Sequence, residues 1–269
     1  EMEDEDLIEQ EEMVVTVTQS GYIKRTALTE YREQKRGGKG SQGMNTKDED
    51  IVTSLFIANT HTPLLFFTSD GIVYKIKTWR LPQGGRNSRG KAIINLLPIE
   101  HGVSIAAILP IDEPEENWND LQIFFSTSTG DVRRNALSDF TNVKANGKIA
   151  MKLDQDDKII GVKICKEEQD ILLSTQFGKC IRFESKKLRL FKGRSSKGIK
   201  GIVLAPNDQI VSLSIIDDYK NLTNGKKSKD EKSEIKAKEK FILSITENGY
   251  GKKTPHTDYR VTNRGGKGI

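Results

Sequence analysis

A pattern that recurs five times along the chain constrains its fold more than any other sequence feature. Each copy is centred on a glycine, at Gly21, Gly71, Gly130, Gly178 and Gly249. An aliphatic residue precedes this glycine by seven positions, a threonine precedes it by three, and a basic residue follows it by four. Tandem repeats of roughly 20 to 50 residues are typical of propellers and solenoids, so we expect the chain to stack similar units.

Each copy predicts a β-hairpin. The glycine supplies the positive φ of a tight turn, as in Asp70-Gly71, and the flanking β-branched and aromatic residues favour paired strands. A second glycine closes a polar loop after each hairpin, and a short apolar stretch precedes the next hairpin. The pattern predicts an all-β fold of blades with about four strands: two in the hairpin, a segment before the loop, and the apolar stretch. The expected hairpins span residues 14–25, 64–75, 123–134, 171–182 and 242–253.

The charge of the chain is unevenly distributed. The formal net charge is +5, but eight of the 38 acidic residues lie in residues 1–12, so the remainder carries +13. A body this basic attracts polyanions, of which nucleic acid is the commonest. We expect residues 1–12 to form an acidic linker, residues 13–269 to form the β domain, and the lysine-rich stretch 221–240 to be a solvated insertion.

The sequence gives little support to catalysis or to membrane insertion. Cys165 and Cys180 form no disulfide framework or zinc motif, and His61, His101 and His256 fall in different repeats without metal-ligand spacing. No apolar run approaches the roughly 18 to 20 residues that cross a bilayer. We therefore expect no catalytic residue, metal or cofactor in this domain, no membrane association, and a cytoplasmic location.

The first glycine-rich loop carries the most specific motif, QKRGGKG. It spreads three cations among glycines that let the backbone approach a phosphate closely. The motif resembles the seven-residue box of the DNA gyrase A C-terminal domain family, and the likeness extends from about Val14 to Ile269. The resemblance implies a β-pinwheel, a propeller-like fold with six blades in the family against the five repeats visible here. It also implies that the box binds DNA through Gln34, Lys35, Arg36, Gly37, Gly38, Lys39 and Gly40.

Further cations recur in the second hairpin strands and in the other glycine-rich loops. If they project to one side of every blade, they form a curved positive rim whose regularly spaced phosphate contacts offset the energy of bending DNA. The predicted rim residues are Lys24, Arg25, Lys75, Arg86, Arg89, Arg133, Arg134, Arg182, Lys197, Lys252, Lys253, Arg264 and Lys267.

The resemblance implies a role in DNA supercoiling. The domain would bind, bend and wrap duplex DNA without sequence specificity, and so enable ATP-dependent negative supercoiling by a type II topoisomerase holoenzyme. Its expected partners are double-stranded DNA, the rest of the gyrase A subunit, and the gyrase B subunit in an A2B2 heterotetramer, with ATP and Mg needed elsewhere in that assembly. Two alternatives stay open: the corresponding domain of topoisomerase IV, whose boxes are degenerate, and a basic propeller-type scaffold that binds an acidic protein.

Overall fold

The computed structural model describes residues 4–31, 50–217 and 239–269. Within these residues the regular structure consists of β-strands and short 3₁₀ helices, which confirms the predicted all-β fold. The strands are β1 (Glu12–Thr18), β2 (Tyr22–Ala27), β3 (Val52–Asn59), β4 (Pro63–Thr68), β5 (Ile72–Lys77), β6 (Lys91–Ala92), β7 (Ile105–Pro110), β8 (Gln122–Thr127), β9 (Asp131–Ala136), β10 (Lys148–Ile149), β11 (Ile159–Cys165), β12 (Gln169–Thr175), β13 (Cys180–Glu184), β14 (Ile199–Lys200), β15 (Ile210–Asp217), β16 (Phe241–Ile245) and β17 (Gly251–Pro255). The 3₁₀ helices are Asp4–Leu7, Leu28–Glu30, Thr78–Arg80, Ile93–Asn95, Glu115–Asp120, Leu137–Phe140, Ser185–Lys187 and His256–Asp258.

The chain divides into two compact units. The first comprises Glu1–Trp118 with Ser138–Leu153, and the second comprises Asn119–Leu137 with Asp154–Ile269. The first unit contains a sheet of order β3-β1-β2-β6 and a sheet of order β10-β5-β4-β7. The second unit contains sheets of order β11-β8-β9-β14, β13-β12-β15 and β16-β17. Each predicted hairpin is present as an antiparallel pair: β1 with β2, β4 with β5, β8 with β9, β12 with β13, and β16 with β17.

One hydrogen bond explains the threonine that recurs in every copy. The Thr18 hydroxyl oxygen accepts the backbone N–H of Tyr22, directly after the hairpin glycine, at 3.1 Å. The glycine between them has a φ of +83°, a conformation that residues with a side chain rarely adopt. Threonine and glycine together therefore fix the turn. The equivalent threonine bonds are Thr68 with Ile72, Thr127 with Asp131, Thr175 with Lys179, and Thr246 with Tyr250.

The fourth strand of a sheet comes from the following repeat. Strand β6 comes after β4 and β5 in the sequence, yet it pairs with β2 of the first hairpin. Strands β10 and β14 pair with β5 and β9 in the same way, and Ile269 exchanges two backbone hydrogen bonds with Cys180 at 2.8 and 2.9 Å. The prediction that the segment between hairpin and loop supplies this strand is wrong. That segment instead turns into a 3₁₀ helix, as at Thr78–Arg80.

The closing glycine of the described loops allows this exchange of strands. A Cβ atom at Gly90 would lie 2.3 Å from the carbonyl oxygen of Ile23, and one at Gly198 would lie 2.6 Å from that of Val132. Only a glycine lets the loop backbone approach the preceding hairpin so closely. The exchange also explains why residues 138–153 belong to the first unit, because their strand β10 completes the sheet built on β4 and β5.

Each unit has its own hydrophobic core, built from the inward faces of its strands. In the first unit Val15, Ile23 and Phe66 belong to one buried cluster. In the second unit Phe124 and Phe183 belong to another, with their ring centroids 6.2 Å apart. The repeated aliphatic residue seven positions before the hairpin glycine is buried in the first four hairpins.

The described part of the acidic N-terminal segment is anchored to the first unit. His61 Nε2 donates to the carbonyl oxygen of Ile8 at 2.7 Å, and Lys77 Nζ lies 3.1 Å from a carboxylate oxygen of Glu5. Both partners belong to the second hairpin or the turn before it. Most of the predicted lysine-rich insertion, residues 221–238, lies outside the described residues.

Candidate nucleic-acid interface

The QKRGGKG box, residues 34–40, lies outside the described residues, and its role in DNA binding stays a prediction. Four loops at corresponding positions are described, and three of them carry two or more cations: residues 84–90, 192–198 and 262–268, in contrast to 141–147, which carries only Lys144. We call these three the box-like loops.

Lys24 lies beneath the box-like loop 84–90. Its side chain is buried, and its ammonium group donates to the carbonyl oxygens of Gly85, Arg86 and Ser88 at 2.8, 2.8 and 3.0 Å. Three acceptors satisfy all three donors of the ammonium group. Burial lowers the pKa of Lys24. This cation holds the loop from inside, and its burial contradicts the exposed rim position that the sequence predicts.

Arg133 occupies the same repeat position beneath the box-like loop 192–198. It is fully buried and donates to the carbonyl oxygens of Gly193 and Ser196, and to the Ser196 hydroxyl at 2.9 Å. Its Nε donates to the side-chain oxygen of Asn135 at 2.8 Å, and the Asn135 amide donates to Gly193 at 3.0 Å. Arg133 is therefore also an internal support of a loop, not the exposed rim residue predicted.

The basic residue four positions after the hairpin glycine holds the turn that follows the next hairpin. Arg25 Nε donates to the carbonyl oxygen of Leu81 at 2.9 Å, and Lys75 Nζ donates to that of Thr141 at 2.9 Å. Each acceptor directly follows a 3₁₀ helix. Both cations are half-buried, and burial lowers the pKa of Arg25. Their charges stabilise the packing of successive repeats.

Arg182 and Arg134, in the same column, are buried more deeply. Arg182 is 4% exposed, lies 2.9 Å from a carboxylate oxygen of Asp170, and donates to the carbonyl oxygen of His256 at 2.7 Å. Arg134 is 5% exposed and donates to the side-chain oxygen of Gln122 at 2.9 Å. Removing one partner of a buried ion pair leaves the other charge uncompensated. The predicted exposure is wrong for both arginines, and the turn at His256–Tyr259 covers Arg182.

Arg86 and Arg89 project from the box-like loop 84–90 and lie over aromatic rings. The guanidinium carbon of Arg86 is 5.3 Å from the ring centroid of Tyr31, and that of Arg89 is 3.7 Å from the ring centroid of Tyr22. The Nε atom of each arginine is buried and makes no hydrogen bond to the described residues. Stacking orients a guanidinium without consuming its N–H donors. Unlike Lys24 and Arg133, these two predicted rim residues are not fully buried.

The second unit presents more exposed cations. Lys197 pairs with Asp154, Arg264 donates to the carbonyl oxygen of Lys200 at 3.1 Å, and Lys253 lies 3.9 Å from the ring centroid of Phe241. Contacts of this kind at the surface are weak and can exchange for a phosphate. The predicted rim residues that are exposed here are Lys197, Lys252, Lys253, Arg264 and Lys267.

Sequence reasoning missed three exposed cations at the box-like loops. Lys91 directly follows the closing Gly90, Lys192 begins the loop 192–198, and Lys200 lies in β14. Lys200 pairs with Asp131 at 2.7 Å. Lys91 and Lys200 both lie in an exchanged strand just after a closing glycine. This position could serve as a sequence signal, but it can be recognised only once the strand pairing is known.

Metal binding, membrane insertion and thiol reactivity can each be compared with the described residues. They contain no cluster of three or more His, Cys, Asp or Glu side chains that could hold a metal ion. No described helix is long and apolar enough to cross a membrane. Burial raises the pKa of the Cys165 thiol to about 12, which keeps it protonated and unreactive.

The repeats correspond to a known family. The sequence matches the family described as "DNA gyrase C-terminal domain, beta-propeller" over residues 12–59, 62–111, 122–166, 169–217 and 240–269. It is 42% identical to the DNA gyrase A protein of Rickettsia bellii, over 98% of this chain and 32% of the relative, so the chain spans about a third of that protein.

Solved structures agree with this assignment. A crystal structure of the C-terminal domain of DNA topoisomerase IV superposes with a TM-score of 0.72 at 26% identity, over 97% of this chain and 73% of the other. A DNA gyrase A C-terminal domain superposes with a TM-score of 0.71 at 24% identity, over 96% of this chain and 76% of the other, which shows a shared fold. With the five matched segments and the exchanged-strand sheets, the chain belongs to the family of DNA gyrase C-terminal domains of the β-propeller type.

Proposed function

We propose that this domain binds, bends and wraps duplex DNA without reading its sequence, as the C-terminal domain of the gyrase A protein. In this role it enables ATP-dependent negative supercoiling by a holoenzyme of two A and two B subunits in the bacterial cytoplasm. ATP and Mg act elsewhere in that assembly. This domain supplies phosphate contacts and performs no bond chemistry.

The observation that carries the proposal is the pair of stacked arginines on the box-like loop 84–90. Arg86 and Arg89 are held by aromatic rings, and their Nε atoms bond to no described residue. Because the Nε atoms are buried, the terminal N–H groups are the donors that would meet a phosphate, and a guanidinium held in one orientation can donate two of them in parallel. Phosphate contacts position a duplex but carry no sequence information, so we expect binding through these cations to depend on charge and not on sequence.

Loops on both units support the same interpretation. Cations that reach the surface occur in the loop 84–90 of the first unit and in the loops 192–198 and 262–268 of the second. Wrapping requires contacts along an extended path, because smooth bending of a short duplex by 40 to 90° costs on the order of 1 to 6 kcal/mol. Repeated loops provide such contacts at several points.

Two measurements on the same protein test this function. Linear duplexes of unrelated sequence are titrated at rising salt concentration, and nicked plasmid is ligated with and without the domain before its linking number is measured. We expect similar affinities for all sequences, a steep loss of affinity with salt, and a shifted linking number. Absence of binding, or binding that leaves the linking number unchanged, would contradict the proposal.

The alternatives predict different outcomes. A basic scaffold for an acidic protein would leave the linking number unchanged. A topoisomerase IV domain would bind DNA, but the complete enzyme that contains it would relax plasmid without introducing negative supercoils. The decisive comparison is therefore ATP-dependent supercoiling of relaxed plasmid by the complete enzyme, with and without this domain.

A further inference from the structure

The residue three positions after the hairpin glycine alternates in chemistry along the first four repeats. It is a buried cation at Lys24 and Arg133, and an apolar or aromatic residue at Tyr74 and Ile181. Each lies beneath the loop of the following repeat. The alternation divides the loops into those supported by a charge and those supported by packing.

The cation-supported loops turn several carbonyl oxygens inward. In the loop 84–90, the carbonyl oxygens of Gly85, Arg86 and Ser88 accept from the Lys24 ammonium group at 2.8 to 3.0 Å. In the loop 192–198, the carbonyls of Gly193 and Ser196 point at the Arg133 guanidinium. A buried charge is costly unless its donors are satisfied, so each cation specifies one loop conformation.

The peptide geometry then directs amide groups the other way. In a trans peptide the N–H points opposite to the C=O of the same unit. Because the carbonyls of Gly85, Arg86 and Ser88 face Lys24, the N–H groups of Arg86, Asn87 and Arg89 face away from it. None of these three N–H groups donates to a described residue. Outward N–H groups gathered on one short loop form a concave site for an anion.

The packing-supported loops are built differently. A Cβ atom at Gly147 would lie 2.7 Å from the ring of Tyr74, and one at Gly266 would lie 3.7 Å from the side chain of Ile181. The Tyr74 hydroxyl donates to the carbonyl oxygen of Pro98, outside the loop 141–147. In the loop 141–147 one carbonyl, that of Thr141 at its first position, accepts from a cation, Lys75, in contrast to the three carbonyls of the loop 84–90 that face Lys24.

We propose that Lys24 is a positioning residue for phosphate binding. By holding the carbonyls of the loop 84–90 inward, it presents the N–H groups of Arg86, Asn87 and Arg89 to a backbone phosphate of DNA, beside the stacked guanidinium groups. Arg133 supports the loop 192–198 through its carbonyl oxygens in a similar way. The inference rests on the proposed function, and it assigns to Lys24 an indirect role in place of direct contact with DNA.

The first test uses the unmodified domain. Amide resonances of Arg86, Asn87 and Arg89 are followed by NMR while a short duplex is titrated at fixed salt. We expect all three to shift on binding, and more than the N–H of Ser88, which donates to the carbonyl oxygen of Gly85 at 3.0 Å within the loop. Duplex that binds without moving the three amides would overturn this inference and leave the proposed function standing. If the duplex does not bind at all, the result would contradict the proposed function itself.

The second test compares three substitutions by duplex affinity and by hydrogen exchange at the Ser88 N–H. Lys24→Met removes the ammonium donors that hold the loop carbonyls. We expect the affinity for duplex to fall about tenfold, which corresponds to the loss of roughly one charge-assisted interaction, and the Ser88 N–H to exchange faster. Lys24→Arg keeps a cation with several donors, as at Arg133, and should stay within about twofold of the parent in affinity. Arg86→Gln removes only an outward charge, so it should weaken binding while exchange at Ser88 stays unchanged.

Two outcomes would overturn the positioning role. One is a Lys24→Met variant that is folded by circular dichroism and binds duplex like the parent. The other is a Lys24→Met variant that weakens binding with no change in exchange at Ser88, which would make Lys24 a direct contact. Should Lys24→Met fail to fold, the amide titration of the unmodified domain decides the question alone.

Discussion

The fourth and fifth hairpins share their sequence pattern but differ in their surroundings. In the fourth, β12 lies between β13 and β15, and Arg182 is buried against Asp170. In the fifth, β16 pairs with β17 and with no other described strand, and Lys253 is exposed. Leu243 of this hairpin is 66% exposed.

This comparison separates what a repeat specifies from what its environment decides. Threonine, glycine and the alternating apolar residues specify the hairpin turn in both copies. The role of the cation depends on whether a following turn covers it: Arg182 donates to the carbonyl oxygen of His256, whereas Lys253 stacks on Phe241. A recurring basic column is therefore not in itself a DNA-binding surface.

The largest expected difference between the two hairpins concerns these cations. Arg182→Met leaves Asp170 buried without its main partner, so we expect the free energy of unfolding to fall by about 3 to 5 kcal/mol. Lys253→Met, at the same repeat position, should change it by less than about 0.5 kcal/mol. Urea unfolding followed by circular dichroism measures both. Equal losses would contradict the distinction between covered and uncovered cations.

A smaller difference is expected for the threonines. Thr175 is 4% exposed, and Thr175→Val removes the hydroxyl that accepts the Lys179 N–H and bonds to Asp208, which should cost about 1 kcal/mol. Thr246→Val removes the same bond to Tyr250 in an exposed turn, where water replaces the missing acceptor, and should cost a few tenths of a kcal/mol, roughly a third as much. The same unfolding experiment ranks the two. A larger loss at Thr246 would show that the turn bond matters independently of burial.

The smallest expected effect is a pH dependence from Asp208, a carboxylate that binds the turn of the fourth hairpin. Asp208 accepts the N–H groups of Phe177 and Gln209 at 3.0 and 2.9 Å, and hydrogen bonds to its carboxylate, including one from Thr175, hold its pKa below the ordinary value of 3.8 despite the opposing effect of desolvation. A carboxylate with a lowered pKa in the folded state stabilises the fold above its unfolded pKa, and this contribution is lost as pH falls through the folded value.

The stability of the parent domain should therefore decline below about pH 4, and Asp208→Asn should flatten part of that decline. Thermal unfolding midpoints between pH 3 and pH 7 measure it. A decline of equal steepness in the variant would show that other carboxylates account for the acid sensitivity. Asp50, which accepts the Ser20 N–H at 2.9 Å and also has a lowered pKa, is the first of these to examine.

The hairpins could be predicted from the sequence because their determinants are local. Gly71 has a φ of +92°, and the threonine three positions before it accepts the N–H of Ile72. The exchange of the fourth strand could not be predicted, since β6 pairs with a hairpin of the preceding repeat. Nothing in the two residues of β6 marks that distant partner; only the close approach of Gly90 to Ile23 does.

The candidate interface was only partly predictable for the same reason. Arg86 and Arg89 lie in a glycine-rich loop, where a surface position follows from local composition. Lys24 and Arg133 are as basic as their neighbours in sequence, yet loops from the next repeat bury them. Lys91 was missed because its exposure depends on the exchanged strand. Burial of a charge depends on what folds over it, which spacing within one repeat does not encode.

The salt dependence of duplex binding tests the central claim most directly: loop cations, and not the buried hairpin cations, meet the phosphates. Removing one cation that neutralises a phosphate should reduce the slope of log affinity against log salt by about 0.9, so the double substitution Arg86→Gln and Arg89→Gln should reduce it by about 1.8. Arg80→Gln is the matched control, since Arg80 is exposed and lies 4.7 Å from the ring centroid of Trp79, but on a 3₁₀ helix. The account predicts a reduced slope for the double variant and the parent slope for the control. A double variant with the parent slope would contradict it.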